Sequence, residues 1–326
     1  MSHDTKPASP GVSLGRLLAD RGPLVGLVLV CALFATLRFE TFVTWDNFAI
    51  VLQQTAVIGT AALGMTLVII AGGIDLSVGS VIALGTVVIA LLLEHGWSAV
   101  AAALAGIAAS ALCGAFSGLL ITRLRLLPFV VTLGMMGALR GAAKGLAHEQ
   151  PIYPDDTWLN SLMRLGDRGT LPSGVWLMLA LAVVVGVTLR HTRFGRHVFA
   201  VGSNEMTARL CGVPVERVKI LVYILGTAFA GIAAVLQFGY LTGGDPTTAV
   251  GLELNVIAAV VIGGASLNGG QGGVIGTLVG AVIMSVVANG CTKLGLPNWV
   301  QEIVTGAIIV GAVSLDYLRN RSARAR

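Results

Sequence analysis

Residues 62–80 read Ala62-Leu-Gly-Met-Thr-Leu-Val-Ile-Ile-Ala-Gly-Gly-Ile-Asp-Leu-Ser-Val-Gly-Ser80. An apolar run long enough for lipid stops at Gly72-Gly73, offers one carboxylate at Asp75, and resumes as a second apolar run through Leu93. In a bilayer this is two spanning helices joined by a glycine corner, the second restarted from a polar cap. Composition extends that reading to the whole chain. Its 326 residues are 55% hydrophobic and 11% charged, with a mean hydropathy of +0.87, whereas soluble domains carry about a quarter charged residues. Backbone polar groups in lipid must be paired within their own segment, so the spans are helices. The runs are continuous and lack the alternation of a β-barrel. The 43 glycines fit helices that approach closely. The fold class is all-α, a polytopic membrane protein.

Ten runs qualify as spans: 22–39, 50–70, 76–93, 98–121, 128–146, 173–190, 219–239, 253–267, 273–290 and 299–316. With both termini in the cytoplasm, most of the 21 Lys and Arg residues fall inside, grouped at Arg123/Arg125, in 190–219 and in the C-terminal tail. An odd number of spans would put one of the last two groups outside. The net charge of +5 is thereby a matter of topology rather than of nucleic-acid binding. Polar residues 1–21 read as a cytoplasmic tail ahead of an uncleaved signal anchor, 22–318 as the transmembrane domain, and 319–326 as a basic cytoplasmic tail. The four cysteines show no disulfide pattern and read as packing residues. A faint echo links Val68-Ile-Ile-Ala-Gly-Gly-Ile-Asp-Leu-Ser with Val260-Val-Ile-Gly-Gly-Ala-Ser-Leu-Asn, the pattern of two related halves.

The chain contains no Gly-Lys pair, so it has no phosphate loop with which to hydrolyse ATP. Its five histidines lie in the tail and loops without metal-ligand spacing, and no span carries the paired acids or histidines of a proton relay. Neither catalytic residues nor a cofactor are expected. Asp75 has two readings: a cap on the free N–H groups that open span three, helped by Ser77 or Ser80, or a place near a solute pathway or partner contact. Arg140 lies about three turns into span five and needs an acidic or carbonyl partner, or a wet cavity. Lys144 is near enough to the end to snorkel. Gln53, Gln54, Gln237, Asn255 and Asn289 are interhelical donors or pathway groups. In the basic inner loop 191–218, a short helix from Ser203 to Cys211 is opened by Ser203 or Asn204 and stopped by Gly212 and Pro214.

Five segments carry a resemblance: Gly64-Met-Thr through Gly-Ile-Asp-Leu-Ser-Val-Gly-Ser80, Pro128-Phe-Val-Val-Thr-Leu-Gly134, Gly195-Arg-His, Asn204-Glu through Gly212, and Val261-Ile-Gly-Gly-Ala-Ser-Leu-Asn-Gly-Gly. Spread over about residues 50–313, they resemble the permease subunits of ribose-type ABC importers. The resemblance implies a multi-pass protein of the bacterial inner membrane, surrounded by lipid, that passes a monosaccharide inward. It implies a cytoplasmic ATPase subunit, a periplasmic or extracellular sugar-binding protein, and a second copy or sister permease as partners. It places the ATPase-coupling helix at Asn204–Gly212, with Asn204, Glu205, Ala208 and Gly212 matching. Met206 and Thr207 stand where the family usually has small residues. Asp75, Ser77, Gly79 and Arg140 remain structural or pathway candidates. A nucleoside or branched-chain amino-acid permease and an ATP-independent carrier are the rival expectations.

Overall fold

The computed structural model describes residues 14–165 and 170–324; residues 1–13 of the expected tail, and Lys6, Arg168 and Arg326, lie outside them. The described chain runs α1 (Leu14–Leu37), α2 (Phe39–Phe42), α3 (Trp45–Ile70), α4 (Val78–Glu94), α5 (Ala99–Arg123), α6 (Pro128–Leu146) and α7 (Trp158–Ser161). It continues through α8 (Ser173–His191), α9 (Arg193–Ser203), α10 (Glu205–Leu210), α11 (Val215–Leu241), α12 (Leu252–Ile262), α13 (Val274–Lys293) and α14 (Asn298–Arg324). Among the described residues no strand occurs; one isolated bridge joins Ile152 to Gly244.

Each of the ten expected spans coincides with a helix, and α3, α5, α8, α11 and α13 are long and apolar enough to cross a membrane unaided. The larger departures are these. Helix α1 begins at Leu14, inside the expected N-terminal tail, and α14 continues to Arg324, into the expected C-terminal one. The expected span 253–267 holds only the 11-residue α12, roughly 16 Å long against a hydrocarbon core of roughly 30 Å. It stops at Gly263-Gly264, where Gly264 takes φ +94. The inner loop contains two helices rather than one, because α9 precedes the expected short helix.

Helix α3 is buried along nearly its whole length and packs against α11, α13, α12 and α8. The tightest pair is α5 with α11. Gly106, Ser110, Gly114, Ser117 and Gly118 belong to the buried face of α5. A Cβ on Gly114 would land on the Thr227 side chain and the Tyr223 carbonyl, and one on Gly231 would lie 2.8 Å from the Ile107 backbone. Lipid tails are as apolar as leucine, so close packing of small faces, rather than water exclusion, holds these helices together. The N-caps follow the local chemistry: Thr44 accepts from Asn47 N–H, and Ser98 from Ala101 N–H.

The two ends of the bundle differ in kind. At one end Ile152 pairs with Gly244, and Gln53 of α3 donates to the Met163 carbonyl. All five tryptophans lie there, exposed: Trp45, Trp97, Trp158, Trp176 and Trp299. Tryptophan belongs at a membrane interface, where an apolar ring and a polar N–H meet both phases. At the other end Arg123, Arg125, Arg190, Arg193 and Arg196 sit beside the Gly72 corner, α9, α10 and the loop 263–273. Of the cysteines, Cys291 is buried and Cys31 and Cys113 are half-buried, but Cys211 is exposed at the end of α10 and is not the packing residue expected.

Replacing Gly114 by Val should force α5 from α11 and remove most of the monodisperse material recovered in detergent, since overpacking costs about 1–3 kcal/mol. Replacing Gly306 of α14 by Ala, where a Cβ meets open space, should leave recovery unchanged. Size-exclusion profiles of the two variants check this.

Candidate functional site

Helix α10 is built by its own sequence. The Asn204 side chain accepts from Thr207 N–H at 2.9 Å, giving the N-cap. At the other end Gly212 takes φ +80, Val213 N–H bonds the Ala208 carbonyl at 3.0 Å and Gly212 N–H the Arg209 carbonyl at 3.0 Å. That is a left-handed stop suited to glycine. Ala208 is the helix's buried residue, while Met206 and Leu210, one turn apart, are 73% and 84% exposed. Around them runs a charged net: Glu205 to Arg209 at 3.5 Å and to Lys219 at 2.6 Å, and Arg209 to Glu216 at 2.5 Å. Bonding to Glu216 raises the Arg209 pKa above its ordinary value. Exposed pairs of this kind order side chains more than they stabilise a fold. The result is a short, stiff knob with two apolar side chains in the open.

Helix α9 ties the knob to the membrane domain. It buries Gly195, Val198 and Val201 at three-residue spacing and is capped by Thr192, which accepts from Gly195 N–H at 3.1 Å. Its end is clamped by bare backbone. Gly270 N–H donates to the Ile70 carbonyl at 2.8 Å, and a Cβ on Gly202 would overlap that same carbonyl. A Cβ on Gly269 would lie 2.6 Å from the Gly202 carbonyl and 2.9 Å from Gly72 Cα. Three segments distant in sequence therefore touch where α3 ends: the Gly72 corner, α9 and the loop 263–273. Only glycine permits that approach.

Beyond the corner, Asp75 is 1% exposed. Its Oδ1 accepts from Ser77 N–H at 2.8 Å and from Ser77 Oγ at 2.6 Å, while Oδ2 has no partner. This differs from the expected cap. The carboxylate closes a turn on the residue before α4 and does not take N–H groups of the first helical turn, because only one residue separates it from the N-cap Ser77. Thr132 of α6 donates to the Ile74 carbonyl at 3.3 Å, and Tyr223 of α11 lies on Gly73, its buried hydroxyl unpaired.

Arg140 is half-buried and its Nη1 donates to the carbonyls of Pro246 and Thr248 at 2.9 and 2.6 Å. Its partner is thus the carbonyl kind among the expected alternatives. Gln237 adds Nε2 to Thr248 Oγ1 at 2.9 Å, so α6 and α11 together hold the loop 242–251. That loop descends along α4: a Cβ on Gly244 would lie 2.6 Å from the Ala90 Cβ, and one on Gly79 would overlap the Ala249 carbonyl and Glu253 Oε2. Gly79 is the space that admits this loop. No hydrogen bond or ion pair among the described residues joins Arg140 to Asp75, so the four candidates form two sites. Lys144 is exposed, as a snorkelling side chain should be.

Sequence reasoning missed Glu253, Tyr223, Gly202 and α9. The three-residue apolar spacing of 195, 198 and 201 was a readable sign of α9. Nothing local marked Tyr223 or Gly202, whose roles come from other segments.

The chain was compared with known proteins. The family described as "Branched-chain amino acid transport system / permease component" matches residues 47–313. The chain is 37% identical over 302 residues to the ribose import permease protein RbsC of Escherichia coli K12, covering 92% of this chain and 94% of that one. It is 36% identical over 305 residues to the Bacillus subtilis protein of the same name, covering 93% of each. It is 37% identical over 312 residues to the L-arabinose ABC transporter permease protein AraH of Azospirillum brasilense, covering 94% and 91%. No solved structure matches it.

Two substitutions separate structural from pathway roles. Asp75→Ala strands the Ser77 N–H and hydroxyl at about 1–3 kcal/mol and should lower folded yield more than it alters solute preference. Asp75→Asn, which keeps an acceptor, should restore most of the yield. Normal yield with altered preference in Asp75→Ala would assign the residue to the pathway. Arg140→Met leaves two carbonyls without their donor and should lower the melting temperature by roughly 5 °C in a detergent thermal-shift assay.

Proposed function

The chain belongs to the family of branched-chain amino acid transport system / permease components, and on that premise we propose that it is the membrane subunit of an ATP-driven importer for a monosaccharide. The observation that carries the reading is α10: a capped, six-residue helix outside the membrane domain that shows Met206 and Leu210 to the solvent. A chain without a phosphate loop takes ATP-derived force only from a partner, and α10 offers a surface for one. Glu205 and Gly212 hold the knob in shape, Asn204 opens it, and Ala208 anchors it against the bundle.

The ribose and arabinose permeases above supply the substrate class. The scarcity of membrane-embedded charge supports a neutral polyhydroxylated solute over a zwitterion, and Arg140 already spends its guanidinium on backbone carbonyls. The partners are a cytoplasmic ATPase subunit and a sugar-binding protein outside the bacterial inner membrane. A second copy, or a sister permease, seats on the face of α6, where Gly134, Gly137, Gly141 and Gly145 have open space over their Cα atoms. The basic end of the bundle is cytoplasmic and the tryptophan end faces out.

Pushing on α10 moves α9. Through Gly202, α9 presses on the end of α3 and the loop 263–273, the two corners from which α4 and α13 depart. That linkage gives the nucleotide engine purchase on the helices around the solute route.

The reading is tested in proteoliposomes holding this chain, its ATPase and its binding protein, with ribose, arabinose and leucine as rival solutes. Uptake should require ATP and follow a pentose, not leucine or an ion gradient. Glu205→Ala and Gly212→Val should leave membrane insertion intact while cutting uptake per ATP hydrolysed by about tenfold, equivalent to a coupling free energy of about 1.4 kcal/mol. Uptake by this chain alone, without nucleotide, would end the proposal; full-speed import by both variants would move the contact off α10.

A further inference from the structure

On the flank formed by α8 and α13, away from α6, lies a groove of about 740 Å³. Its walls are apolar: Leu179, Val183 and Val187 of α8 face Ile275 and Leu278 of α13, with Gly186 as the floor. Its mouth is different in kind. Arg190 and His191, the last turn of α8, line it from one side, and Gly272–Gly276 line it from the other. Those residues are the opening turn of α13, whose N-cap Gly273 offers no side-chain cap. The first N–H groups of α13 thus have no side-chain cap, at the same mouth that two basic side chains frame.

Three further observations bear on what fills it. No acidic residue occurs between Asp167 and Glu205, while Arg190, Arg193 and Arg196 all fall there. None of the ion pairs among the described residues uses any of the three. Helix α9, which carries Arg193 and Arg196, buries one face only and contributes Phe199 to the groove. Its apolar face packs on α8, α11 and α3, which leaves Arg193 and Arg196 exposed.

We infer that this groove binds an anionic phospholipid: an acyl chain lies between α8 and α13, and the phosphate sits between Arg190, His191 and the uncapped start of α13. An anion at a helix N-terminus satisfies its N–H groups and meets its positive end. Basic clusters at the cytoplasmic edge of a span attract anionic headgroups at about 1 kcal/mol per residue. The apolar walls commit the occupant to a lipid, since a free phosphate ion gains nothing from Leu179, Val183 or Leu278. Phe199 of α9 and Gly272 at the end of the loop 263–273 line the groove, which places it beside the Gly202 junction. A seated lipid would brace α9 against α13.

The full-length chain, purified in detergent, is examined by native mass spectrometry with phosphatidylglycerol and phosphatidylcholine of matched chains. Wild type should retain the anionic lipid about tenfold better, as one or two added basic contacts allow. The double variant Arg190→Gln/His191→Gln, at exposed positions, should lose that preference but still bind both lipids weakly; Arg190→Lys should keep it. Gly186→Leu, with open space over its Cα, should fill the groove and release both lipids. Inorganic phosphate at millimolar concentration should not displace the adduct. Equal retention of the two lipids by wild type, or an unchanged preference in the double variant, would overturn the assignment, as would displacement by phosphate. So would a disulfide-linked dimer formed through Val183→Cys in a Cys211→Ser background, which would give the groove to a second copy.

Discussion

Every interruption of a helix inside the packed bundle releases backbone groups that no water reaches, and the chain must answer each one with protein. The carbonyl of Ile70, left free where α3 ends, is answered by the N–H of Gly270, brought from two hundred residues away in sequence. This single bond fixes more than itself. It requires the loop 263–273 to double back beneath α3, Gly202 to pass over the same carbonyl without a side chain, and Gly72 to turn the chain with φ +80. The corner before α4, the break between α12 and α13, and the seat of α9 are one solution to one hydrogen-bonding problem. The loop 242–251 answers its own problem in the same way, with Arg140 and Gln237 as donors.

That economy bears on mechanism. A junction made of backbone contacts has no flexible side chain to absorb displacement, so movement at α9 reaches α3 and the loop 263–273 undiminished. Packed interfaces of this sort shift between discrete arrangements and do not deform smoothly. The exposed knob of α10, which we propose meets the ATPase, and the region that sets the directions of α4 and α13 are separated by one 11-residue helix.

Much of this was legible in the sequence, and the boundary of legibility has a physical cause. The spans follow from continuous apolar runs, and α10 from Asn204, Gly212 and Pro214, because these signals are local. The α12 span was misjudged because apolarity continues past the stop: Gly264 takes φ +94 and Ala265 N–H returns to the Val260 carbonyl at 3.1 Å, while Gly276 passes close over Gly263. Asp75 was recognised as significant, yet its bond to Ser77 instead of the helix depends on one residue of spacing. The partner of Arg140 belongs to a loop more than a hundred residues downstream. Nothing near Arg140 names it. For the same reason Gly79 reads as a motif residue in sequence and as steric clearance for Ala249 and Glu253 in the fold.

The stability of α10 shows how so short a helix stays ordered, which the coupling role proposed for it requires. Six residues are too few for a helix to persist in water on propensity, since nucleation dominates at that length. Its order comes from both ends: the Asn204 cap, the Gly212 stop, and the anchorage of Ala208 beneath. The ion pairs to Lys219 and Glu216 attach it to the first turns of α11 without burying it. Such a helix is held as a rigid body by its neighbours while contributing almost no core of its own. A force applied to Met206 or Leu210 is therefore passed to α9 and α11 before it can be dissipated by unfolding, which a longer helix seated in its own hydrophobic core would not require and a bare loop could not achieve.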